Sequence, residues 1–217
     1  MAYFIMPRFG QNLEQYFELV DKRLSKESVY SLGIEVISIL QQIHESGFTY
    51  NDLKLDNLLV GKDDELPEEY SEGNCFEGLS INIVDFGFAT RFRSDDNKTN
   101  LPVQNVKVFR GNIMFASPNQ LNFKSTSRRD DLISLVYLMV YILNKGDLIN
   151  QPMQHQNMAR EEIFTKSREA KMAYKISDLC QGITEDLTNF VEEVFRYTFS
   201  EKPKYDRLKQ MLQDNIA

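Results

Sequence analysis

A long stretch of helical periodicity in the first half of the chain is the feature that most constrains its fold. Across residues 25–46, apolar side chains recur at steps of three and four residues, and Gly47 ends the pattern as a helix C-terminal cap would. Asn12, a residue type that caps helices, precedes a shorter amphipathic segment. The same periodicity predicts further helices over residues 130–144, 160–173, 185–197 and 205–214.

Short extended segments interrupt the helices in the next part of the chain. Apolar runs at 58–60 and 81–84 have the composition of short strands. The acidic stretch 62–78 lies between them, contains Pro67 and Gly73, and is expected to form a solvated hairpin insertion. The apolar start of the chain predicts one more strand, within residues 1–10.

These patterns indicate one domain over residues 1–217 that is mainly α with short β hairpins. Residues 90–127 lack sustained periodicity, which predicts an extended loop, and residues 128–217 are expected to form a helical subdomain. The segment 48–92 holds the strand-like runs. A hydrophobic content of 42% supports a real core.

Composition excludes several function classes. The formal charge of −7 argues against a general nucleic-acid binder, and the longest apolar run is too short to cross a bilayer. Cys75 and Cys180 lie far apart, and no secretory leader precedes them. We therefore expect reduced thiols, no zinc site and no haem. The expected location is cytoplasmic, or nuclear or cytoskeleton-associated, and not secreted.

Positive charge is concentrated in one segment of this acidic chain. Residues 90–131 hold eight basic and four acidic side chains, a net charge of +4. Such a surface predicts a local site for an anionic partner, such as an acidic or phosphorylated peptide. A solvated basic loop without a ligand is the alternative.

The residues with chemistry lie in two short runs. The first, at 50–57, contains Asp52, Lys54 and Asn57, and the second ends in Asp85-Phe86-Gly87. Phosphoryl transfer needs a carboxylate to accept a proton, a cation for the moving phosphoryl group, and oxygen ligands for Mg²⁺. These side chains supply all of them, at the spacing of a kinase catalytic loop and its metal-binding strand end.

Two further runs make the resemblance specific: Phe109-Arg110-Gly111-Asn112-Ile113-Met114-Phe115-Ala116-Ser117 and Ser127-Arg128-Arg129-Asp130-Asp131-Leu132. With them the chain resembles the casein kinase 1 family, which has Gly-Thr-Ala-Arg-Tyr-Ala-Ser and Ser-Arg-Arg-Asp-Asp-Leu there. The vaccinia-related kinases are the nearest alternative. The similarity covers essentially the whole chain. It implies a protein-kinase-like C-terminal lobe that lacks most of the N-terminal β lobe.

The resemblance implies a serine/threonine kinase that uses ATP and Mg²⁺, with a role for each matching residue. Asp52 would be the catalytic base, Lys54 the phosphate-contacting cation, and Asn57 and Asp85 the metal ligands. Nucleotide contacts would come from Met6, Pro7 and Phe9 in the hinge strand, and Asp131 would brace the catalytic loop. Arg110, Arg128 and Arg129 are candidates for holding a substrate anion. For Asp131, an ordinary acid at a helix N-terminus is the alternative.

The departures from the family pattern concern positions next to these residues. Tyr50-Asn51 stands in place of the usual His-Arg, Asn112 in place of a threonine, and Val136 in place of a glycine. None of them removes the base or a metal ligand. Met114 stands where the family has an arginine associated with phosphate recognition, which argues against selection of phosphorylated substrates at that position.

The sequence contains no glycine-rich loop and no counterpart of the strand lysine and helix glutamate of a kinase N-terminal lobe. We therefore expect little or no kinase activity from this polypeptide alone, with the missing lobe supplied by a longer gene product or a second chain. The competing hypothesis is a truncated pseudokinase that acts as a binding module in a larger assembly. A weaker hypothesis treats the acidic insertion and the basic loop as docking surfaces for a charged filament or complex.

Overall fold

A computed structural model of the chain describes residues 5–61, 75–76, 78–94, 96, 99–148, 159–173 and 175–216. In chain order, the described elements are α1 (Leu13–Leu19), α2 (Lys26–Glu45), β1 (Phe48–Thr49), a 3₁₀ turn (Leu55–Asn57), β2 (Leu58–Val60), β3 (Ile81–Ile83), β4 (Thr90–Arg91), α3 (Pro118–Leu121), α4 (Arg128–Leu143), α5 (Arg160–Ala173), α6 (Ile176–Leu179), α7 (Glu185–Arg196) and α8 (Tyr205–Gln213). The predicted acidic insertion at 62–78 lies outside the described residues, apart from Cys75, Phe76 and Gly78. The architecture is mainly helical with short antiparallel strand pairs, as predicted.

Capping side chains set where the first two helices begin. The Asn12 side chain accepts a hydrogen bond from the Gln15 N–H at 2.8 Å, and Ser25 Oγ accepts one from the Ser28 N–H at 3.1 Å. Each bond satisfies a backbone donor that has no partner inside its own helix. After α2, Gly47 adopts a φ of 89°, a left-handed conformation that glycine reaches at little cost. Both predicted helices are confirmed.

The later helices follow the sequence periodicity closely. α4 begins at Arg128, two residues before its predicted start, where the Asp130 carboxylate accepts a hydrogen bond from the Ser127 N–H at 2.8 Å. The bounds predicted for α5 are confirmed, and α7 and α8 each end one residue earlier than predicted. The short α6 was not predicted, because a single helical turn carries little periodicity.

Two antiparallel strand pairs hold the segment between α2 and α4. β2 pairs with β3, with Leu58 opposite Ile83, which confirms the predicted hairpin strands. β1 pairs with β4, with Phe48 opposite Arg91. This second pair was not predicted, since two-residue strands show no alternation. Both pairs fix the ends of the loops that carry the candidate site.

The strand predicted within residues 1–10 falls partly outside the described residues. Residues 1–4 lie outside the described residues, and residues 5–8 have no regular structure. Ile5 and Met6 are 86% and 42% exposed. A strand needs a hydrogen-bonded neighbour, and no described strand runs beside residues 5–8. Phe9 forms a single β bridge, and the Gly10 N–H donates to the Gly61 carbonyl at 3.2 Å.

α4 occupies the centre of the core. Residues 130–142 of this helix are all buried, and it packs against α2 and α7. A helix that is apolar all round is stable only when other elements cover it on every side. Neither α4 nor any other described helix is long and apolar enough to cross a membrane. Because Asp131 lies in the first turn of α4, the candidate site is attached to the central buried helix.

Candidate active site

The carboxylate of Asp52 lies in a tight loop after β1, and the side chains of Lys54 and Asn57 both approach it. The 3₁₀ turn folds the chain back, so that Asn57 Nδ2 donates to the backbone carbonyl and to Oδ2 of Asp52, at 3.0 Å each. Lys54 Nζ lies 3.7 Å from the same Oδ2 atom. Asp52 is only 3% exposed. The structure therefore brings the predicted trio together.

The surroundings of Asp52 favour a proton acceptor. Burial is the largest influence and raises the pKa of Asp52 above its ordinary value of 3.8, and the negative charge of Asp85 raises it further. Lys54 and Asn57 stabilise the ionised form and lower the pKa. A general base becomes more effective as its pKa approaches the working pH. Asp52 is thus suited to accept a proton from an attacking hydroxyl.

Asp85 follows Val84, whose backbone N–H and carbonyl both form hydrogen bonds with the catalytic loop. The Val84 N–H donates to the Asn57 carbonyl at 3.1 Å, and the Val84 carbonyl accepts a hydrogen bond from the Tyr50 hydroxyl at 2.6 Å. The Tyr50 ring meets the Phe86 ring edge to face, with centroids 5.5 Å apart. These contacts hold Asp85 on the side of the loop that carries Asn57.

The oxygen donors of Asn57 and Asp85 are of the chemical kind that suits a magnesium ion. Asp85 has a φ of 62°, a left-handed conformation that is uncommon outside glycine and concentrates at functional sites. Its Oδ1 accepts a hydrogen bond from the Gly87 N–H at 3.0 Å, which orients an exposed carboxylate. Asn57 Nδ2 faces Asp52, so its amide oxygen points the other way. Carboxylate and amide oxygens are the ligands that suit Mg²⁺.

Asp131 holds the catalytic loop from the core side. Its Oδ2 accepts a hydrogen bond from the Tyr50 N–H and its Oδ1 accepts one from the Asn51 N–H, at 2.7 Å each. Oδ2 also lies 2.8 Å from His44 Nε2, and His44 Nδ1 lies 2.7 Å from the Tyr205 hydroxyl. All five residues are buried. Since both oxygens of Asp131 accept N–H donors of the loop, this carboxylate does more than complement a helix dipole.

Sequence reasoning missed His44 and Tyr205. They lie 161 positions apart, and His44 lies 87 positions from Asp131, so no local spacing connects them. One signal was present: a histidine occupies the inward face of α2, where a buried polar side chain needs a partner. The structure supplies the partners on α4 and α8.

Asn51 connects the catalytic loop to both ends of the segment 88–126 through hydrogen bonds of its side chain. It has a φ of 70°, in the left-handed region that asparagine tolerates. Its Nδ2 donates to the Phe88 carbonyl and to Thr90 Oγ1 at 2.8 Å each, and its Oδ1 accepts from the Thr126 hydroxyl at 2.6 Å. A guanidinium only donates. The amide at this position therefore makes a set of bonds that the usual arginine would not reproduce.

Gly111 allows the segment after residue 110 to approach the catalytic loop closely. It has a φ of 114°, and an added Cβ would overlap the Asn51 carbonyl oxygen and lie 2.5 Å from Gln120 Nε2. Gln120 Nε2 itself donates to that carbonyl at 2.9 Å. Two segments far apart in sequence therefore meet where only glycine fits.

We expect Gly111→Ala to lower the free energy of unfolding by about 3 kcal/mol, because both the backbone strain and the overlap must be relieved. Gly182→Ala is the matched control. Gly182 also has a positive φ, 81°, but nothing lies within 4 Å of an added Cβ. It should lose only about 1–2 kcal/mol from the backbone conformation. Urea denaturation measures both, and equal losses would contradict the close approach.

The three arginines proposed to hold a substrate anion are placed differently from one another. Arg128 is 3% exposed, and its guanidinium donates to the Ser200 carbonyl at 2.7 Å. Arg129 is partly buried and donates to the Tyr197 carbonyl at 3.4 Å. The first turn of α4 is thus packed inward, and both side chains bond to the segment between α7 and α8. Their role in holding a substrate anion stays a prediction. Arg110 is exposed and stays a candidate.

The residues predicted to contact nucleotide lie just before the segment that bonds to β2 and Gly61. Met6 and Pro7 are exposed and Phe9 is partly buried. The N–H of Gly10 and the carbonyl of Gln11 bond to β2 and its neighbour Gly61, which fixes the chain just after these residues. Their role in binding nucleotide stays a prediction.

Comparison with known proteins gives a consistent result along nearly the whole chain. The protein kinase domain family matches residues 2–214. Casein kinase I homolog 2 of Schizosaccharomyces pombe is 30% identical over 210 residues, which cover 97% of this chain and 45% of that protein. Casein kinase I homolog RAG8 of Kluyveromyces lactis is 27% identical over 209 residues, 96% of this chain and 36% of that protein. Casein kinase I homolog 1 of Saccharomyces cerevisiae is 26% identical over 208 residues, 96% of this chain and 36% of that protein. The chain thus spans less than half the length of these relatives.

Proposed function

Because the chain belongs to the protein kinase family and is similar to casein kinase I homologs, we propose that it carries the catalytic loops of a serine/threonine protein kinase. The phosphoryl group would pass from MgATP to a protein hydroxyl. The observation that supports this most strongly is the convergence of Lys54 and Asn57 on the Asp52 carboxylate, with Asp85 held beside them.

Each side chain of this cluster has a separate task in the proposed reaction. Asp52 orients the hydroxyl of the acceptor and takes its proton, and Lys54 places a positive charge near the transferred group. Asn57 and Asp85 would hold Mg²⁺, which neutralises phosphate charge when bound. Asp131 fixes the loop that carries the first three, through its bonds to two backbone N–H groups.

The pKa of Asp52 gives this function an expected pH dependence. Only the ionised carboxylate can accept a proton, so the rate should fall as the pH falls through the folded-state pKa. Burial raises the pKa of Asp52, which moves that acidic limb above its position for an exposed aspartate. Lys54 lowers the pKa, so Lys54→Met should shift the limb to still higher pH. Rate–pH profiles at saturating MgATP measure this, and an unmoved limb in the variant would contradict it.

Nucleotide binding tests the proposal without requiring turnover. We expect an ATP analogue to raise the melting temperature when Mg²⁺ is present and to have little effect in EDTA. Asp85→Asn should remove the Mg²⁺-dependent part of the shift. Asp56→Asn, an exposed aspartate in the same loop, should retain it. Absence of any Mg²⁺-dependent shift in the unmodified chain would refute the proposed function.

We also propose that these 217 residues alone transfer phosphate slowly. They contain no glycine-rich phosphate loop, so the nucleotide would be held mainly from one side. Phe86 and Phe88 are 53% and 40% exposed, and large exposed apolar side chains often mark a surface that another part covers. A longer gene product or a second chain would supply that lobe. Ordinary kinase rates from the chain alone, lost on Asp52→Asn, would contradict this.

A truncated pseudokinase that serves as a binding module is the second candidate. It is favoured by the same exposed Phe86 and Phe88 and by the neutral Asn51 at the usual arginine position. Its partner would be a protein with an acidic surface, given the net charge of +4 over residues 90–131. For this candidate, nucleotide would give no Mg²⁺-dependent stabilisation, and Asp85→Asn would leave partner binding unchanged. For both candidates we propose a cytoplasmic location.

A further inference from the structure

A buried lysine outside the catalytic cluster joins α5 to the loop 111–117. Lys171 lies in the last turn of α5 and is 3% exposed. Its ammonium donates to three backbone carbonyls: Ile113 at 3.3 Å, Met114, and Ala116 at 2.8 Å. An ammonium group has three N–H donors and no acceptor. The three carbonyls therefore use its full bonding capacity.

The contacts of Lys171 favour the charged form of its side chain. Burial acts in the opposite direction and lowers the pKa of Lys171 well below its ordinary value. Against this, three carbonyl oxygens point at the nitrogen, and the Tyr137 ring centroid lies 4.2 Å away, an arrangement that attracts a cation. A neutral amine has only two N–H donors, so one carbonyl would face a lone pair. The backbone carbonyls around Lys171 Nζ therefore match the three donors of an ammonium group.

α5 has few other means of attachment. Among its described residues, only Ser167 and Lys171 are buried, and a spacing of four places them on one face. Phe164 adds ring contacts to Phe109 and Phe123, with centroids 5.1 Å and 5.5 Å apart. The ammonium therefore connects the last turn of α5 to the loop.

The opposite side of loop 111–117 meets the catalytic loop. Gln120 Nε2 donates to the Asn51 carbonyl at 2.9 Å just beyond the loop, and Asn112 Oδ1 accepts from the N–H groups of Met114 at 2.8 Å and Phe115 at 3.3 Å. Gln120 Nε2 also donates to the Arg110 carbonyl, so this side chain links the residue before the loop to the catalytic loop. Lys171 is the anchor for the centre of loop 111–117.

We propose that Lys171 is a positioning residue that shapes loop 111–117 for the protein substrate. This rests on the proposed function, in which the loop borders the Asp52 cluster through Asn51. Because all three N–H donors of the ammonium bond to backbone carbonyls, Lys171 has no donor left to bind a substrate anion. Met114, the neighbouring side chain, is also uncharged. This loop therefore selects a substrate by the shape of its backbone and does not attract an anion.

The first test is a spectroscopic signature in the unmodified chain. With ¹⁵N-labelled lysine, Lys171 Nζ is expected to give an ammonium signal whose protons exchange slowly with water, assigned by its nuclear Overhauser contacts with the Tyr137 ring, whose centroid lies 4.2 Å away. A neutral-amine shift, or exchange as fast as that of the surface lysines, would overturn the proposal. This measurement requires neither nucleotide nor turnover.

The second test compares Lys171→Met with Lys166→Met. Methionine keeps most of the side-chain volume but has no donors, and Lys166 is an exposed lysine of the same helix, paired with Glu162. Amide exchange at Met114, Phe115 and Ala116 should accelerate by roughly ten-fold or more in the first variant and stay unchanged in the second. Equal exchange in the two variants would overturn the proposal. If Lys171→Met does not fold, the ammonium signal of the unmodified chain decides.

The third test separates positioning from direct contact with substrate. Binding of a serine peptide and of its acidic counterpart is measured by fluorescence anisotropy. Lys171→Met should raise both Kd values by the same factor, and Mg²⁺-dependent nucleotide binding should be unchanged. A rise confined to the acidic peptide would show that Lys171 contacts substrate charge and would overturn the proposal. Loss of the nucleotide response in the unmodified chain would instead refute the proposed function and leave the first two tests intact.

Discussion

Asp131→Asn is expected to lower the free energy of unfolding by about 3–5 kcal/mol. The substitution keeps the volume but replaces one carboxylate oxygen by an N–H₂ group. Oδ2 of Asp131 accepts hydrogen bonds from the Tyr50 N–H and from His44, so an amide nitrogen there would face two donors. All of these groups are buried, where water cannot replace the lost bonds. Urea denaturation followed by circular dichroism measures the change.

Asp206→Asn is the matched control for that substitution. Asp206 lies in the first turn of α8, with a side chain that is 93% exposed. A change at such a site should stay within about 0.5 kcal/mol. If the two variants lose similar stability, the network of Asp131, His44 and Tyr205 does not hold the catalytic loop as its distances suggest.

Asp52→Asn is expected to reduce the rate of phosphoryl transfer by roughly 10²–10⁴-fold, the usual contribution of a positioned general base. Asparagine can still accept the hydrogen bond that Asn57 donates, so the loop should keep its shape. It cannot take a proton from the acceptor hydroxyl. Single-turnover transfer of labelled phosphate to a serine peptide, with the chain in excess, detects rates far below those of an ordinary kinase.

Two further measurements make that result interpretable. Asp56→Asn changes an exposed carboxylate of the same turn and should transfer phosphate at the rate of the unmodified chain. Mg²⁺-dependent nucleotide binding should be the same for Asp52→Asn and the unmodified chain. A variant at position 52 that keeps its full rate would show that Asp52 is not the base, whatever its place in the loop.

The parts of the structure that the sequence predicted best are those whose cause is local. The sequence periodicity that predicts α2 and α5 extends over several helical turns. The starts of α1 and α2 are also local, because Asn12 and Ser25 each accept a bond from the backbone N–H three residues further along. The cluster of Asp52 and Asn57 is also local, because one 3₁₀ turn brings the two side chains together. Spacing alone was therefore sufficient to predict that they meet.

The parts that the sequence did not predict depend on contacts between distant segments. His44 lies 87 positions from Asp131, and Lys171 lies 55 positions from Ala116, so neither pair leaves a periodic signal. The charge of Arg128 was visible but the direction of its side chain was not, and it is turned towards the segment before α8. The strand expected within residues 1–10 also depends on a neighbour that local sequence does not specify, and it stays a prediction.

The most direct test of the account replaces Mg²⁺ by Mn²⁺, a paramagnetic ion that accepts the same oxygen ligands. In the ¹⁵N-labelled chain with a non-hydrolysable ATP analogue, substoichiometric Mn²⁺ should broaden the amide signals of Asn57 and Asp85 together, and Asp85→Asn should abolish the effect. Broadening confined to the acidic stretch 62–78, or broadening of one of the two residues without the other, would contradict a shared metal site beside Asp52.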